Sequence, residues 1–368
     1  MKNKIIYLTY QNFPAHTANS LQTIANIKHL VKNDVLVDLY FPLRESNSDG
    51  DIEVLKNFYQ FSENFNVFGL NHPYPHGKIK IFPKLWFHIS HYLWSKNTVK
   101  KLFLNDTENT FLTRSDWIAY FLAKQGSKVT FECHQSSTTR NLVINSICKF
   151  KNVKFVFLNE NLQSKYKNVA NSIVLHNAAD SSLFVHKNKS IDNKIIFLGN
   201  TNRFNKSRGI GQIIKWFEDD YLKENYKLEI VGGTQKNNAQ LVETINKLNL
   251  SNSVKISSRK DRYETSKILS EFSIGLLINR PDNEHSRLYT SPLKYFEYLY
   301  SGLRVIAVDF PAHRVLPFKE KIKFFEYNNK ESFVEALIES KETNSLSETE
   351  KYSISLENRS KKLIQFLL

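Results

Sequence analysis

The sequence predicts an α/β fold made of two doubly wound, Rossmann-like domains, each with a parallel sheet. Short runs rich in β-branched and aromatic residues alternate with longer amphipathic segments, which is typical of parallel strands covered by helices on both faces. The 368 residues suffice for two domains of about 100–200 residues each. The strand candidates form two sets, and a polar stretch at 177–193 is the expected linker between them.

The strand candidates set the expected domain boundaries. In the first half they are Ile5–Tyr10, Val35–Phe41, Thr110–Thr113, Lys128–His134, Lys154–Leu158 and Ile173–Leu175. In the second half they are Lys194–Leu198, Lys227–Val231, Ser253–Ile256, Ser273–Ile278, Arg304–Val308 and Lys323–Tyr327. The expected domains are 1–185 and 186–350, and 351–368 is expected to contain a helix that packs back on the first domain. Ligands bind at the carboxyl ends of strands in such sheets, so the active site is expected in a cleft between facing domains.

Composition and charge narrow the class of protein only in part. With 41% hydrophobic and 24% charged residues, the chain is globular. The net charge of +15 is divided almost evenly between the halves. It fits anionic ligands, an anionic membrane surface or nucleic acid, and does not choose among them.

Cysteine usage and hydropathy favour a cytoplasmic protein. Cys133 and Cys148 lack the spacing of a zinc site or a redox pair, so we expect reduced thiols. No run reaches the ~18 apolar residues of a membrane helix, and no signal-peptide pattern follows the first residues. The segment Lys78–Lys101 interleaves basic and aromatic residues. This pattern suits either a membrane interface or a helix that packs inward with lysines at its edges.

The segment Tyr289–Asp309 carries the clearest candidate site. Ser291 suits an N-cap, Pro292 the first helical position, and Gly302 the residue that ends the helix. A helix N-terminus favours a phosphate, and Lys294 adds a cation there. Glu297, further along the helix, could accept both hydroxyls of a ribose. An ordinary capped helix with a surface Lys and Glu is the alternative.

The residues SPLKYFEYLYSGLRVIAVDFP, which begin at Ser291, resemble the donor-site segment of family 4 (GT4) glycosyltransferases, which have the GT-B fold of two facing Rossmann-like domains. The resemblance implies that Ser291, Pro292 and Leu293 lie against a diphosphate through backbone groups, and that Glu297 binds the ribose. Many members carry a second Glu eight residues earlier, where this chain has Tyr289. Glu284 and His285 are nearby substitutes.

Other segments resemble the remaining donor elements of that family. Gly199 and Asn200 follow a strand and lead into a basic loop. There the resemblance implies cations that neutralise the leaving diphosphate, with Arg203 and Lys206 favoured and Arg208 as the competitor; a solvated loop is the alternative. Gly232 and Arg259 correspond to positions near the nucleotide base, and a simple tight turn is the alternative for Gly232.

The first half resembles the acceptor side of the family. After the first strand, Asn19 or Ser20 could cap a helix that starts near Leu21 and faces the ligand. The segments that contain Arg114 and His134 end strands, and the resemblance implies that His134 contacts the sugar or lies beside the reacting carbon. A structural histidine at a strand end is the alternative. Arg114 is a further candidate on the sugar side, although an ion pair with Glu132 would make it structural. The element Leu175–Asp180 with Phe184 matches the family's domain junction in part.

Several other site types are not expected. Asp49-Gly50-Asp51 has the letters of a D-x-D metal motif but lies in a polar loop. The chain shows no G-x-G-x-x-G after its first strand, no P-loop, no zinc signature and no Ser/His/Asp motif.

The predicted function is transfer of a sugar from a UDP- or GDP-sugar to a hydroxyl of a glycan or lipid-linked acceptor. The resemblance implies retention of anomeric configuration without a metal, and no other cofactor is expected. Nucleic acid is not an expected partner, whereas contact with the inner face of the plasma membrane is compatible with the charge. The alternatives are a GT-B-fold sugar-nucleotide epimerase and a non-catalytic partner subunit that keeps the fold.

Overall fold

The computed structural model describes residues 3–184, 192–203 and 206–368. The chain forms two compact units, one of Met1–Leu175 with Arg359–Leu368 and one of His176–Asn358. The division therefore comes before position 185, and the last segment joins the first unit from Arg359 rather than from 351. Part of the expected linker, 185–191, lies outside the described residues.

The first unit contains one parallel sheet of seven strands. They are β1 (Lys4–Leu8), β2 (Leu36–Leu43), β3 (Asn66–Asn71), β4 (Thr110–Thr113), β5 (Lys128–Cys133), β6 (Val153–Phe157) and β7 (Ser172–Val174), in the order β3-β2-β1-β4-β5-β6-β7. The helices between them are α1 (Ala18–Lys32), α2 (Ile52–Tyr59), α3 (Pro83–Leu102), α4 (Asp116–Lys124), α5 (Thr138–Ile147) and α6 (Glu160–Ser164). The sequence did not predict β3, an edge strand with a glycine and two asparagines among few apolar residues.

The second unit contains a six-stranded parallel sheet. The strands of this unit, including a separate pair, are β8 (Lys194–Leu198), β9 (Asn202–Arg203), β10 (Lys206–Ser207), β11 (Lys227–Val231), β12 (Val254–Ser257), β13 (Ile274–Leu277), β14 (Arg304–Val308) and β15 (Ile322–Phe325). The sheet order is β12-β11-β8-β13-β14-β15, while β9 and β10 pair separately as an antiparallel hairpin. The helices are α7 (Ile210–Trp216), α8 (Asp220–Asn225), α9 (Gln235–Lys247), α10 (Arg262–Leu269), α11 (Leu293–Tyr300), α12 (Lys330–Ser340) and α13 (Glu348–Ser353). The last helix, α14 (Leu356–Leu367), starts in the second unit and belongs to the first from Arg359 onward.

Alternate residues of the second sheet enter two different apolar layers. Ile195 and Phe197 of β8 pack in one layer, and Ile196 and Leu198 pack in the other. This explains the near-continuous apolar strands, because a sheet covered on both faces has no solvent side. The predicted doubly wound α/β fold is confirmed in each unit.

Each sheet has a switch point where the strand order reverses. It lies between β1 and β4 in the first unit and between β8 and β13 in the second. Crevices for ligands form outside the carboxyl ends of the strands at such points. These two edges are therefore where the predicted site residues have to be sought.

Among the residues that the structure describes, no helix is long and apolar enough to cross a membrane. Both cysteines are free thiols: Cys133 is buried and Cys148 is partly exposed.

Candidate functional site

The sheet of the second unit opens at its switch point, next to β8. The described pairing of β8 with β13 covers Ile195 and Ile196, whereas β8 pairs with β11 along its whole length. Beyond that pairing the Tyr298 hydroxyl enters the gap, accepting from the Leu198 N–H at 2.9 Å and lying 3.4 Å from the Ile196 carbonyl. The gap ends one residue before Gly199.

A glycine in β13 makes room for the Tyr298 ring. A Cβ atom on Gly275 would lie 2.3 Å from Cδ2 of Tyr298, which is far inside van der Waals contact. Tyr298 is fully buried. The ring and hydroxyl therefore fix α11 against the splayed ends of β8 and β13, and this helix begins the candidate site.

The start of α11 differs from the prediction at Ser291. Pro292 takes the N-cap position, and its side chain makes no capping hydrogen bond. The Ser291 hydroxyl instead accepts from the Asn177 N–H at 3.0 Å, and the Asn177 side-chain amide donates to the Ser291 carbonyl. The prediction that Ser291 caps the helix is wrong, because the segment that starts the second unit occupies its hydroxyl. The uncapped first turn, with Leu293 half-buried beside it, still suits an anion.

The end of α11 agrees with the prediction. Gly302 has a φ of 82°, and its N–H donates to the Leu299 carbonyl, while the Leu303 N–H donates to the Tyr298 carbonyl. These two bonds form a Schellman motif, in which a left-handed residue is required after the helix.

Lys294 places its ammonium group next to β8. Its Nζ lies 3.7 Å from the centroid of the Phe197 ring, a cation–π contact on a half-buried side chain. The same charge helps to lower the pKa of the buried His313 to about 4, after the larger effect of burial. A cation is therefore held near the carboxyl end of β8.

Glu297 lies largely buried one turn further along α11, with its side chain 16% exposed. Its Oε1 accepts from Nη2 of Arg262 at 3.4 Å. Burial raises the pKa of the Glu297 carboxyl, Arg262 opposes the shift, and Asp180 adds to it. A largely buried carboxylate with a flexible cationic partner suits recognition of a diol, because its oxygens can exchange one donor for another.

Gly199 and Gly232 bring the ends of β8 and β11 into direct backbone contact. A Cβ on Gly232 would lie 2.4 Å from the Gly199 carbonyl oxygen, and Gly232 has a φ of 133°. The Gly199 N–H donates to Val231 at 2.8 Å. Asn238, which the sequence did not indicate, donates to the Gly232 carbonyl at 2.8 Å. This close approach of the backbone requires a glycine at 232, whereas Gly199 has room for a Cβ atom and is favoured by its φ of 111°.

The cations of the basic loop after Gly199 differ in exposure and in the residues that they contact. The side chain of Arg203 lies outside what the structure describes, as do residues 204–205. Lys206 is 63% exposed and pairs with Asp282 at 3.1 Å. Arg208 is half-buried and donates to Oδ1 of Asn279, just past β13, at 3.3 Å. Of the two described cations, Arg208 is the one that lies at the switch point.

The two remaining donor-side candidates are exposed. The side-chain oxygen of Asn200 accepts from the Asn202 N–H at 3.2 Å. Arg259 lies in the exposed segment between β12 and α10. Arg262, which contacts Glu297, is the first residue of α10 and was not identified from the sequence.

Tyr289 occupies the position where a second Glu was expected. It closes a five-residue π-helix, His285–Tyr289, and is buried. Its hydroxyl donates to Oε1 of Glu284 at 3.2 Å. The contact keeps a carboxylate beside Tyr289, and short π-helical turns occur often at functional sites.

In the first unit, a buried ionic cluster surrounds Glu132. Its Oε2 accepts from Nε of Arg114 at 2.8 Å, and its Oε1 accepts from Arg359 and lies 3.3 Å from Nε2 of His134. Burial opposes ionisation of Glu132, but the charges of Arg114 and Arg359 outweigh it and hold its pKa well below the usual range. Arg114 thus has the structural partner that was the alternative to a sugar contact.

His134 is the partly exposed member of this cluster, with its side chain 15% exposed. Burial, followed by the charge of Arg114, lowers its pKa to about 4, so the imidazole is neutral at neutral pH. A neutral imidazole always keeps one ring nitrogen without a proton. His134 can therefore accept a hydrogen bond from a hydroxyl group.

The loop after β1 is capped differently from the prediction. The N-cap of α1 is Thr17, whose side chain accepts from the Ser20 N–H at 3.2 Å. Asn19 is exposed in the first turn, and the Ser20 hydroxyl donates to the Asn12 carbonyl at 3.1 Å. The prediction that Asn19 or Ser20 caps this helix is wrong, because the helix starts at Ala18, before either residue.

In the Asp49-Gly50-Asp51 segment, which has the letters of a D-x-D motif, Asp51 caps a helix. Asp51 is the N-cap of α2 and accepts from the Glu53 N–H at 2.8 Å. Across the residues in 3–184, 192–203 and 206–368, no group of three His, Cys, Asp or Glu side chains is arranged to hold a metal ion.

Comparison with known proteins connects this geometry to a family. Residues 182–355, nearly the whole second unit, match the family described as glycosyl transferases group 1. Among curated proteins, no sequence matches the chain.

Solved structures share the whole fold at low sequence identity. Sucrose-phosphate synthase from Thermosynechococcus elongatus has a TM-score of 0.71 and 13% identity, covering 99% of this chain and 98% of its own. HepE from Anabaena, in complex with UDP, has a TM-score of 0.67 and 12% identity, covering 99% of both chains. A TarM mutant from S. aureus, in complex with Fondaparinux, alpha-GlcNAc-glycerol and UDP, has a TM-score of 0.67 and 12% identity, covering 100% of both.

The family match covers the unit that contains α11, Gly199 and Gly232, and the structural likeness extends over both units. The protein is a glycosyltransferase with the GT-B fold, and its residues 182–355 match the group 1 glycosyl transferase family.

Proposed function

We propose that the protein transfers a sugar from a nucleoside-diphosphate sugar, bound at the β8–β13 switch point, to a hydroxyl of a glycan or lipid-linked acceptor. One observation carries the proposal. The uncapped first turn of α11 lies beside the Lys294 ammonium and the opening that Tyr298 maintains between β8 and β13. Backbone N–H groups, a helix dipole and a cation together make a diphosphate site.

The diphosphate would contact Ser291, Pro292 and Leu293 through backbone groups, with Lys294 and Arg208 as the cations. Arg208 is preferred over Lys206 because Lys206 is exposed and already paired with Asp282. Arg203 stays a candidate from the sequence. Fixed cations stabilise the charge that develops on a leaving diphosphate, which is the term that usually dominates such a reaction.

The ribose would lie against Glu297. Its carboxylate would accept the two ribose hydroxyls, and Arg262 would keep the carboxylate charged despite its burial. Gly232 and Arg259 would border the base. Glu284, held by the Tyr289 hydroxyl, would take the place of the second acidic residue and face the sugar hydroxyls.

In the proposed reaction, the bond from the anomeric carbon to the diphosphate oxygen breaks and a bond to the acceptor oxygen forms. The acceptor proton passes to an oxygen of the leaving diphosphate, so no protein base is required. This is the retaining, metal-independent course, and no other cofactor takes part. His134 stays a candidate from the sequence for contact with a sugar hydroxyl, and its neutral imidazole can accept a hydrogen bond.

The class of acceptor rests on the relatives. TarM is in complex with a glycan, and WaaG, with a TM-score of 0.58 and 11% identity, is described as involved in lipopolysaccharide biosynthesis. A polysaccharide or lipid-linked acceptor, reached from the cytoplasmic face of the membrane, is the corresponding proposal for this chain.

Calorimetric titration of UDP, GDP and their sugars tests the donor site. We expect one nucleotide to bind wild type, and Glu297→Ala to weaken it by about tenfold or more, since a charge-assisted hydrogen bond is worth about 1.5–3 kcal/mol. Glu339→Ala, at an exposed position of α12 in the same unit, is the control and should bind as wild type. If neither nucleotide binds wild type, the proposal fails. If Glu297→Ala binds equally well, the ribose assignment is wrong.

Product analysis separates the alternatives. Transfer yields a nucleoside diphosphate and a glycosylated acceptor, an epimerase leaves a changed sugar nucleotide without acceptor, and a non-catalytic partner yields neither. Only the first outcome supports the proposal.

A further inference from the structure

An exposed surface at the start of α3 combines apolar side chains with lysines. We define the α3 surface by Ile79, Ile81, Phe82, Leu85, Ile89 and Leu93, together with Lys78, Lys80 and Lys84. All of residues 77–85 are exposed, and Ile81 and Phe82 are 68% and 70% exposed. Scattered single apolar residues are common on protein surfaces, whereas a contiguous group of this kind indicates a binding surface.

The surface continues along one side of the helix. Leu85, Ile89 and Leu93 recur at four-residue spacing, which places them on the same face. A shallow groove extends this apolar area toward α4 and α5, lined by His88, Ile89, Tyr92, Leu93, Trp117 and Thr139.

The other side of α3 packs inward. His91 stacks on Tyr10 with ring centroids 4.5 Å apart, and Trp94 is 2% exposed. An inward-packed helix was one of the two interpretations of this segment, and it accounts for His91 and Trp94. It does not account for Ile81, Phe82 and Leu85, which point away from that core.

Phe82 has an unusual backbone conformation that exposes its side chain. It precedes Pro83 at the start of α3 with a φ of 51° and a ψ of 51°. Large residues rarely adopt this left-handed region, and such conformations cluster at binding and switch regions. Because the Phe82 side chain is exposed, packing against the described residues does not offset the cost of this backbone conformation.

The charge around this surface has one sign. Between Glu63 and Asp106 the sequence contains no acidic residue, and it contains lysines at 78, 80, 84, 96, 100 and 101. The alternation Lys-Ile-Lys-Ile-Phe-Pro-Lys-Leu places apolar groups and ammonium groups side by side. That combination matches an anionic lipid bilayer, where apolar side chains enter the acyl boundary and lysines stay with the phosphates.

We infer that the α3 surface docks the protein on an anionic lipid bilayer. The role of this docking in reaching a lipid-linked acceptor rests on the proposed function, whereas the docking itself rests on the α3 surface alone. Tyr10, on which the inner face of α3 packs, lies just beyond β1, at the carboxyl edge of the first sheet. Docking through α3 would therefore bring that edge close to the lipid surface, where a lipid-linked acceptor presents its hydroxyl.

Vesicle sedimentation tests the inference without donor or acceptor. We expect wild type to sediment with vesicles of phosphatidylglycerol and phosphatidylcholine in equal parts, and far less with phosphatidylcholine alone. Ile81→Ser with Phe82→Ser, and separately Lys80→Glu with Lys84→Glu, should each lower the partition coefficient by about tenfold. Leu142→Ser with Lys149→Glu, a matched pair of exposed positions on and after α5, should bind as wild type.

Equal partition of all variants would overturn the inference. So would light scattering that shows a concentration-dependent dimer lost in the Ile81/Phe82 variant, because the surface would then bind a second copy. Nucleotide titration of the same variants distinguishes the two failures. If nucleotide binds normally and vesicles do not, the inference fails while the proposed donor site stands.

Discussion

Arg359 of α14 donates to the Glu132 carboxylate at the end of β5, and the same oxygen of Glu132 lies 3.3 Å from Nε2 of His134. The last helix thus reaches a carboxylate that borders the candidate sugar-side histidine. All three side chains belong to the first unit, and Arg359 is 4% exposed. A buried carboxylate shared by two arginines leaves little freedom to the imidazole beside it.

We expect Arg359→Met to lower the free energy of unfolding by about 3–5 kcal/mol, because it leaves a buried charge with one partner fewer. It should also raise the pKa of His134 above about 4, because the charge of Arg359 contributes to lowering it. Denaturant unfolding and NMR titration of the imidazole measure the two effects.

Lys154→Met is the control for Arg359→Met. The Lys154 ammonium donates to the carbonyls of Phe366 and Leu367, so this change loosens the end of α14 without touching Glu132. It should destabilise the protein and leave the His134 pKa unchanged. The same His134 shift in both variants would mean that helix docking, rather than the ion pair, controls the imidazole.

Tyr298→Phe should destabilise the protein and weaken nucleotide binding. The change strands the buried Leu198 N–H, at a cost of about 1–3 kcal/mol. Tyr295→Phe is matched, since Tyr295 is equally buried on α11 but donates to the Pro317 carbonyl at 2.5 Å. Urea unfolding should show losses in both variants, whereas calorimetry should show weaker nucleotide binding only for Tyr298→Phe. Unchanged binding in Tyr298→Phe would refute a role for the hydroxyl in keeping the crevice open.

Gly232→Ala should cost about 2–5 kcal/mol of unfolding free energy, because it combines a positive φ with a clash against the Gly199 carbonyl. Gly126→Ala isolates the first effect: Gly126 has a φ of 90°, and a methyl group at this position would have no atom within 4 Å. It should cost about 1–2 kcal/mol. Equal losses in thermal or urea unfolding would contradict the close approach of the two strand ends.

The protein should lose stability as pH falls below the ordinary pKa of histidine. Burial, followed by the charges of neighbouring cations, lowers the pKa of His91 to about 3. The histidine is therefore protonated in the unfolded chain at a pH where it is still neutral in the folded protein. Unfolding is for this reason favoured increasingly from about pH 6.5 downward. His91→Phe keeps an aromatic ring against Tyr10 and removes this titration.

Removing the His91 titration should raise the free energy of unfolding of His91→Phe relative to wild type by about 2 kcal/mol at pH 5. At pH 8 the same effect should be close to zero, because histidine is then neutral in both states. Urea unfolding at the two pH values measures it. A pH dependence identical to wild type would show that His91 does not contribute. The cations and imidazoles that act on His91 are Arg44, His76, His88 and Arg140.

Much of the second unit could be predicted because its signals are local. Lys194–Leu198, Lys227–Val231 and Arg304–Val308 were predicted with their observed bounds, since buried parallel strands are nearly continuous apolar runs. The glycine that ends α11 was predicted for the same reason, because a left-handed residue after a helix is a local requirement.

Predictions of helix caps from local sequence were wrong where another residue bound the predicted capping group or capped the helix instead. Ser291 has the residue type and position of an N-cap, yet Asn177 binds its hydroxyl. Asn19 and Ser20 also suit a cap, but Thr17 lies one residue before the helix and takes that position. A capping preference is worth about 1 kcal/mol, which a single tertiary hydrogen bond can match.

By itself, the sequence determined the alternation of strands and helices, the two sheets, and the SPLK segment that begins at Ser291, because these follow from the order of residues along the chain. Only the tertiary structure decided that Tyr298 holds β8 and β13 apart, that Arg262 pairs with Glu297, and that Arg359 reaches Glu132. Each of these contacts joins segments far apart in sequence. Their energies arise from burial and from charge at short distance, which no local pattern of residues encodes.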